Sequence, residues 1–165
     1  MRRALVLAFA ALAAGCGGGG DGDGSASEPG RLADKTLPVD TYVRRADDIC
    51  RDTLNEVLGL RRRAGSSPTA ARIADLLEQQ LRIVRRMRSR LEALGAPEGK
   101  REVAEEFIAD IVDAEPHLEQ TIEALRAGKK DEANQAARRY REASLESARQ
   151  VRESGLDFEV CGSGA

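Results

Sequence analysis

Few side chains in this chain of 165 residues could carry out chemistry, and the single histidine, His117, is the first to consider. It lies near Asp113, Glu115 and Glu119, and a histidine among carboxylates can bind a divalent metal. Di-iron helical bundles, however, carry a Glu-x-x-His motif on each of two helices. Here residue 114 is alanine and no second histidine exists, so the sequence favours a partly exposed histidine without a metal.

The other combinations of reactive residues do not indicate an enzyme. The serines have no His-Asp set to activate them, and no glycine-rich phosphate loop lies between a strand and a helix. Met87 and His117 would be the haem ligands of a cytochrome-like bundle, but on two helices that turn near residue 96 their heights differ by roughly 18 Å. We therefore expect no catalytic residues and no cofactor.

A run of arginines is the densest charge feature, and it consists of Arg82, Arg85, Arg86, Arg88 and Arg90. On a helix the first three would point outward, and only Arg82 has a carboxylate one turn earlier, Glu78. Arg88 and Arg90 would instead flank the helix interface and could pair with glutamates early in the third helix, Glu102, Glu105 or Glu106. Arg82, Arg85 and Arg86 predict either a solvated face or a patch that contacts anionic lipid or a wall polymer. The net charge of −2 is too balanced to predict nucleic acid as a partner.

The N-terminus carries an export signal that ends in a cysteine. Arg2 and Arg3 precede the apolar run 4–14, which is too short to span a bilayer, since a spanning helix needs roughly 20 residues. Leu12-Ala13-Ala14-Gly15-Cys16 closes this run and resembles the lipobox of bacterial lipoproteins. The alternative is an ordinary signal peptide followed by a chance cysteine.

The lipobox resemblance implies where the protein is located. Residues 1–15 would be a lipoprotein signal peptide, and Cys16 would carry a lipid that anchors the chain to the outer face of the cell membrane. Residues 16–37 are predicted to be a disordered linker, because their glycine-rich N-terminal part cannot bury apolar surface. Such a linker would hold a folded domain on a flexible spacer just above the lipid surface.

Residues 38–161 are predicted to form an all-α domain, an up-down-up-down four-helix bundle with a disulfide-tethered C-terminal tail. Apolar residues recur at gaps of three and four, as in helices with one buried face. Tryptophan is absent and aromatic residues are 3% of the chain, so aliphatic side chains must fill the core, which suits helix packing. Short connections force neighbouring helices to be antiparallel.

The helix boundaries follow from capping residues and breakers. The first helix is predicted from Asp40 to about residue 63, and the second from the N-cap Ser67 to residue 94. The third covers about residues 98–127, where Pro116 should kink it or divide it in two. The fourth runs from the N-cap Asp131 to about residue 154 and is mainly alanine on its inward face. The second helix has a coiled-coil-like seam of Ile73, Leu77, Gln80, Val84, Met87, Leu91 and Leu94.

Two cysteines remain after Cys16, and in an exported chain they predict one disulfide, Cys50–Cys161, with two free thiols as the alternative. Cys50 would lie roughly 15 Å from the start of the first helix. The last residues alternate apolar and acidic side chains, and six extended residues span roughly 20 Å. The tail can therefore reach Cys50, and residues 162–165 are left as a free end.

Two segments extend the resemblance beyond the signal. Tyr42-Val43-x-x-Ala46-Asp47-x-Ile49-Cys50-Arg51 and Gly155-Leu156…Cys161-Gly162 are similar to small exported helical lipoproteins of high-GC Gram-positive bacteria. The resemblance implies fold and location, and no particular chemistry. We expect a lipid-anchored binding or structural module whose partner is an envelope protein or an anionic polymer. The alternative is a ligand- or metal-binding lipoprotein with its pocket near Pro116.

Overall fold

The computed structural model describes residues 30–161, which form four helices joined by short connections. The helices are α1 (Val39–Ala64), α2 (Ala70–Leu94), α3 (Arg101–Arg126) and α4 (Lys130–Glu153). Two short parallel strands, β1 (Thr36–Leu37) and β2 (Ala96–Pro97), pair beside them. The prediction of an all-α four-helix bundle with a tethered C-terminal tail is confirmed.

Ion pairs between α1 and α2 show that these helices are antiparallel. Arg86 of α2 pairs with Glu56 of α1, whereas Arg90, one turn further along α2, pairs with Asp52, one turn earlier in α1. The connections from α2 to α3 and from α3 to α4 are also short and reverse the chain twice more. The N-terminal ends of α1 and α3 therefore lie at the same end of the bundle as β2, and the C-terminal tail packs against them there.

Two of the predicted N-caps were wrong by two residues. Pro38 is the N-cap of α1 and Lys129 that of α4, so Asp40 and Asp131 lie inside the first turns. Neither helix has a side-chain cap hydrogen bond. The carboxylates still stabilise these helices, because negative charge near an N-terminus interacts favourably with the helix dipole.

The second and third helices, in contrast, begin later than predicted. The N-cap of α2 is Thr69, whose hydroxyl accepts the backbone N–H of Arg72 at 3.2 Å, and not Ser67. The third helix begins at Arg101 rather than near Glu98, because the chain first forms β2 and a turn.

The proline inside α3 does not divide the helix. Pro116 is exposed, and α3 is continuous across it from Arg101 to Arg126. The alternative of two shorter helices is therefore wrong. Proline still removes one N–H from the helix ladder, so the carbonyl of Val112 lacks its usual intrahelical partner.

The buried core is divided into three clusters. The largest lies at the tail end of the bundle and contains the fully buried Tyr42, Leu91 and Ile108. At the other end, one cluster joins α1 to α2, through Val57, Leu60, Leu76 and Ile83. A separate cluster joins α2 to α3, through Ala74, Leu81, Leu118 and Ile122, with Tyr140 of α4 packed against it. Away from the tail, α1 thus shares no core cluster with α3 or α4 in the described part of the chain.

Residues 31–37 were predicted as part of the disordered linker, and this is wrong. Leu32 is 2% exposed within the largest core cluster, and β1 pairs with β2. Ala33 donates its N–H to the carbonyl of Glu92 at 2.9 Å. The segment crosses so close to Gly95 (φ +77°) that a Cβ there would lie 2.3 Å from the Lys35 carbonyl oxygen. The linker residues 16–29 and the end 162–165 lie outside the described residues.

The C-terminal tail returns along α1, as predicted. Leu156 is buried, and the ring of Phe158 contacts those of Tyr42 and Phe107 at centroid distances of 6.4 and 6.1 Å. The disulfide Cys50–Cys161 then joins the tail to α1. The tail therefore completes the core at the end of the bundle where α1 begins.

Candidate functional site

A cleft of about 710 Å³ runs between α1 and α4. It opens there because α1 packs on α2, α2 on α3 and α3 on α4, whereas α1 and α4 hardly touch in the described structure. All four helices and the end of the tail line the cleft. Its volume lies in the range of roughly 300–1,000 Å³ that is usual for small-molecule sites.

The composition of α4 explains why the cleft stays open. The inward side chains of α4 are small, with buried alanines at 133, 136 and 148 and a half-buried Ala137. These residues let α4 approach α3 closely but cannot extend to α1. The predicted seam of α2 is consequently only half-buried over Leu77, Val84 and Met87, which line the cleft instead of a closed core.

The wall of the cleft is mainly apolar, and three of its hydroxyl groups are already bonded within their own helices. Thr53, Thr121 and Ser144 each donate to the carbonyl four residues earlier, at 2.8–2.9 Å. Gln80 donates to the hydroxyl of Tyr140 at 3.4 Å. The three hydroxyls therefore have no O–H left to donate to a ligand, and Gln80 and Tyr140 are the polar pair in this mainly apolar wall.

Asp110 is the carboxylate on the cleft wall, close to the tail. Burial raises the pKa of Asp110; a hydrogen bond with Ser147 opposes this shift, and the nearby carboxylates of Asp113, Glu106 and Glu146 reinforce it. The Oδ2 atom is buried and accepts no hydrogen bond from the described residues. The site therefore favours the neutral form of Asp110 more than water does.

Two arginines at the cleft have no acidic partner. Arg61 of α1 and Arg141 of α4 both line the cleft and are exposed. Neither guanidinium has a carboxylate oxygen within the 4.0 Å limit of an ion pair, as far as the described residues go. They are cations on the two helices that border the opening.

The arginines predicted to contact an anionic surface, in contrast, have partners. Arg85 donates to Glu115 at 2.9 Å and also to Glu119, and Arg86 donates to Glu56 at 2.6 Å. The partners of Arg85 and Arg86 lie on other helices, where the spacing along α2 could not indicate them. Arg82 itself lies 3.9 Å from Glu78, as predicted. Contact with an anionic surface stays a prediction for Arg82, Arg85 and Arg86, although carboxylates now compensate their charge.

A buried carboxylate organises the interface of α2 and α3. Glu115 is 6% exposed and pairs with Arg88 at 2.9 Å as well as with Arg85. Arg88 also lies 3.4 Å from Glu92. The prediction that Arg88 and Arg90 pair with glutamates early in α3 is wrong, since Glu115 lies in the second half of that helix and Arg90 pairs with α1.

His117 lies next to this ion-pair network. It is half-buried, and its Nδ1 atom has no hydrogen-bond partner among residues 30–161. The acidic neighbour predicted for it, Glu115, is engaged by two arginines. No group of three potential metal ligands occurs in the described residues.

Asp47 is a functional residue that the sequence analysis missed. It is 5% exposed, and its carboxylate accepts the backbone N–H groups of Glu159, Val160 and Cys161 at 2.8–2.9 Å. It thereby fixes the segment of the tail that closes one end of the cleft. The sequence signal for this role is the position of Asp47, an acidic residue on the apolar face of α1 three positions before Cys50.

Comparisons with protein-family models, with curated proteins and with solved structures found no match. The predicted signal peptide 1–15 and the predicted lipidation residue Cys16 lie outside the described residues. None of the described helices is both long and apolar enough to cross a membrane.

Proposed function

We propose that this chain is a lipid-anchored module of the cell envelope that binds a ligand in the cleft between α1 and α4. The observation that carries this proposal is the open, mainly apolar cleft in a chain that otherwise buries its apolar side chains. The lipobox resemblance at Cys16 and the glycine-rich spacer after it support the location.

A purely structural role explains the cleft less well. Each Å² of apolar surface left in water costs about 25 cal/mol, so half-exposed Leu77, Val84 and Met87 reduce stability. Larger residues at Ala137 and Ser144 would fill the space and remove this cost. Large apolar surfaces that stay open in soluble domains usually mark binding sites.

Binding can be tested with the uncharged apolar dye N-phenyl-1-naphthylamine, followed by its fluorescence. We expect one saturable site per chain. Ala137→Leu, which places a larger side chain in the cleft, should weaken the dye at least about tenfold. Ala143→Leu is the matched control, because Ala143 is also half-buried on α4 but does not line the cleft. Absence of saturable binding, or equal weakening by both substitutions, would overturn the proposal.

Anchoring is tested separately in cells of the source organism. The full chain should partition with the membrane fraction and incorporate radiolabelled palmitate, whereas Cys16→Ser should do neither. Equal partitioning of the two proteins, without label in either, would show that the chain is not a lipoprotein.

A further inference from the structure

We propose that the ligand is a single-chain amphiphile with an anionic head group, whose hydrocarbon chain lies in the cleft and whose head group contacts Arg61 and Arg141. This inference rests on the proposed function, since it names the chemistry of the same site. It draws on the shape of the cleft, on the polarity of its wall and on the position of its uncompensated charges.

The cleft is elongated along α3. On α3 it is lined from Phe107 to Thr121, which corresponds to roughly 21 Å along a helix. One leaflet of the hydrocarbon core of a bilayer is roughly 15 Å thick. The cleft therefore accommodates an extended acyl chain of the length found in membrane lipids.

The volume of the cleft suits a small organic ligand. About 710 Å³ lies within the roughly 300–1,000 Å³ of sites that take such molecules. A single hydrocarbon chain fits this space.

The wall offers such a chain apolar contact along most of its length. Leu77, Val84, Met87 and Leu118 lie on the α2 and α3 side, and the hydroxyls between them are bonded to their own helices. Leu145 of α4 also lines the cleft and is 53% exposed, the one large hydrophobic side chain with high exposure in the described residues. A bound chain would cover this surface.

The charges on the wall select the sign of the head group. Arg61 and Arg141 border the opening without carboxylate partners, whereas Arg82, Arg85 and Arg86 on α2 are each within 4 Å of a glutamate. Asp110, the single carboxylate on the wall, lies towards the tail, and burial favours its neutral form. An anionic head group at the opening would therefore find a cation without a carboxylate partner on each of the two bordering helices, α1 and α4.

The test compares palmitate with hexadecylamine, two chains of equal length and opposite head-group charge, by displacement of the apolar dye from the full chain. The wild-type protein should bind palmitate at least about tenfold more tightly than the amine. Arg61→Gln combined with Arg141→Gln should reduce this ratio to near one, with both competitors measured against the dye affinity of the same variant. The matched control is Arg62→Gln with Arg138→Gln, which removes two exposed arginines from the same helices outside the cleft.

The outcomes separate the two proposals. If the dye binds but the amine competes as well as palmitate, or if the double substitution at the cleft leaves the ratio unchanged, the inference about the head group is wrong. If the dye itself shows no saturable binding, the cleft is not a ligand site and the proposed function fails with it. If both double substitutions lower the ratio equally, the preference arises from overall charge and the assignment to Arg61 and Arg141 is overturned.

Discussion

Asp47 and Cys161 are joined by a hydrogen bond of 2.9 Å from the backbone N–H of Cys161 to Oδ1 of Asp47. One turn along α1, Cys50 forms a disulfide with the same Cys161. The tail is therefore fixed to α1 twice at one place, once by a covalent bond and once by a buried carboxylate. This arrangement predicts that the tail stays close to α1 when either attachment is removed.

Removal of the Asp47 carboxylate should destabilise the oxidised protein. Asp47→Ala leaves three backbone N–H groups of the tail without their acceptor, and hydrogen bonds to charged groups contribute roughly 1.5–3 kcal/mol each. Because water can replace some of them at the half-buried tail, we expect a loss of roughly 2–4 kcal/mol in the free energy of unfolding. Urea denaturation followed by circular dichroism measures this loss.

The adjacent Asp48 provides the control for this substitution. Its side chain is 63% exposed and pairs with Arg51 on the surface, so Asp48→Ala should change stability by less than about 1 kcal/mol. Similar losses for Asp47→Ala and Asp48→Ala would show that the tail does not depend on the buried carboxylate.

The disulfide should contribute strongly to stability because it closes a long loop. Cys50 and Cys161 are 111 residues apart, and a loop of that length corresponds to about 4–5 kcal/mol in the chain-entropy model. Cys50→Ser combined with Cys161→Ser should therefore lower the melting temperature markedly, by roughly 10–20 °C. Differential scanning calorimetry of both proteins gives the shift, and treatment of the double variant with reductant should have no effect. An unchanged melting temperature would contradict the prediction.

The ion pairs of Glu115 should matter more than those of its exposed neighbour Glu119. Glu115→Ala leaves Arg88, whose side chain is 13% exposed, without its closer carboxylate, at a cost of roughly 3 kcal/mol. Glu119→Ala removes a pair in which both side chains are more than 40% exposed, and should cost less than about 1 kcal/mol.

A second variant distinguishes two causes of the lower stability of Glu115→Ala. One is the lost attraction between Glu115 and Arg88, and the other is the charge of Arg88 left without this partner. If the unpaired Arg88 is the cause, Glu115→Leu with Arg88→Leu should be more stable than Glu115→Ala alone, because the guanidinium is removed together with its partner. Glu92 loses Arg88 in this variant but keeps the backbone N–H of Gly30 at 2.7 Å. Chemical denaturation of the three proteins under one set of conditions makes the comparison. A double variant less stable than Glu115→Ala would argue against this explanation.

The sequence predicted the features of the fold that depend on local pattern and on the cysteines. The spacing of apolar residues indicated four helices, and the length of the tail indicated that Cys161 reaches Cys50; both predictions are confirmed. Helix caps were less predictable, since Asp40, Ser67 and Asp131 each lie beside several residues that can begin a helix. The preferences of these neighbouring residues for the N-cap position differ by only a little free energy. Tertiary contacts contribute more and therefore decide where each helix begins.

The site was not predictable in the same way, because it depends on how far apart two helices stand. The spacing of Leu77, Val84 and Met87 along α2 is the same whether the opposite helix carries large or small side chains. In this protein α4 carries alanines there, and the space stays open. The role of Asp47 depends on backbone groups more than 110 residues away. The packing of Leu32 depends on a strand that pairs with residues 96–97. Periodicity in a single sequence does not report such distant partners.

The last prediction concerns Asp110 and the dependence of stability on pH. Burial raises the pKa of Asp110 in the folded protein above its ordinary value of 3.8. The folded state therefore binds the proton more tightly than the unfolded chain does. By linkage, this contribution to stability is fully present below pH 3.8 and is lost as the pH rises through the raised value.

Asp110→Asn should remove this contribution, because an amide does not titrate and can keep the hydrogen bond with Ser147. Relative to wild type, the variant should gain stability as the pH rises above 3.8 and then reach a constant difference. Urea denaturation between pH 3.5 and 7 would measure the difference, with Glu123→Gln, an exposed site on the same helix, as the control. A difference that does not vary with pH, or one that varies equally in the control, would show that Asp110 carries no desolvation penalty. A gain confined to Asp110→Asn would establish that burial in the cleft wall penalises the ionised form of Asp110.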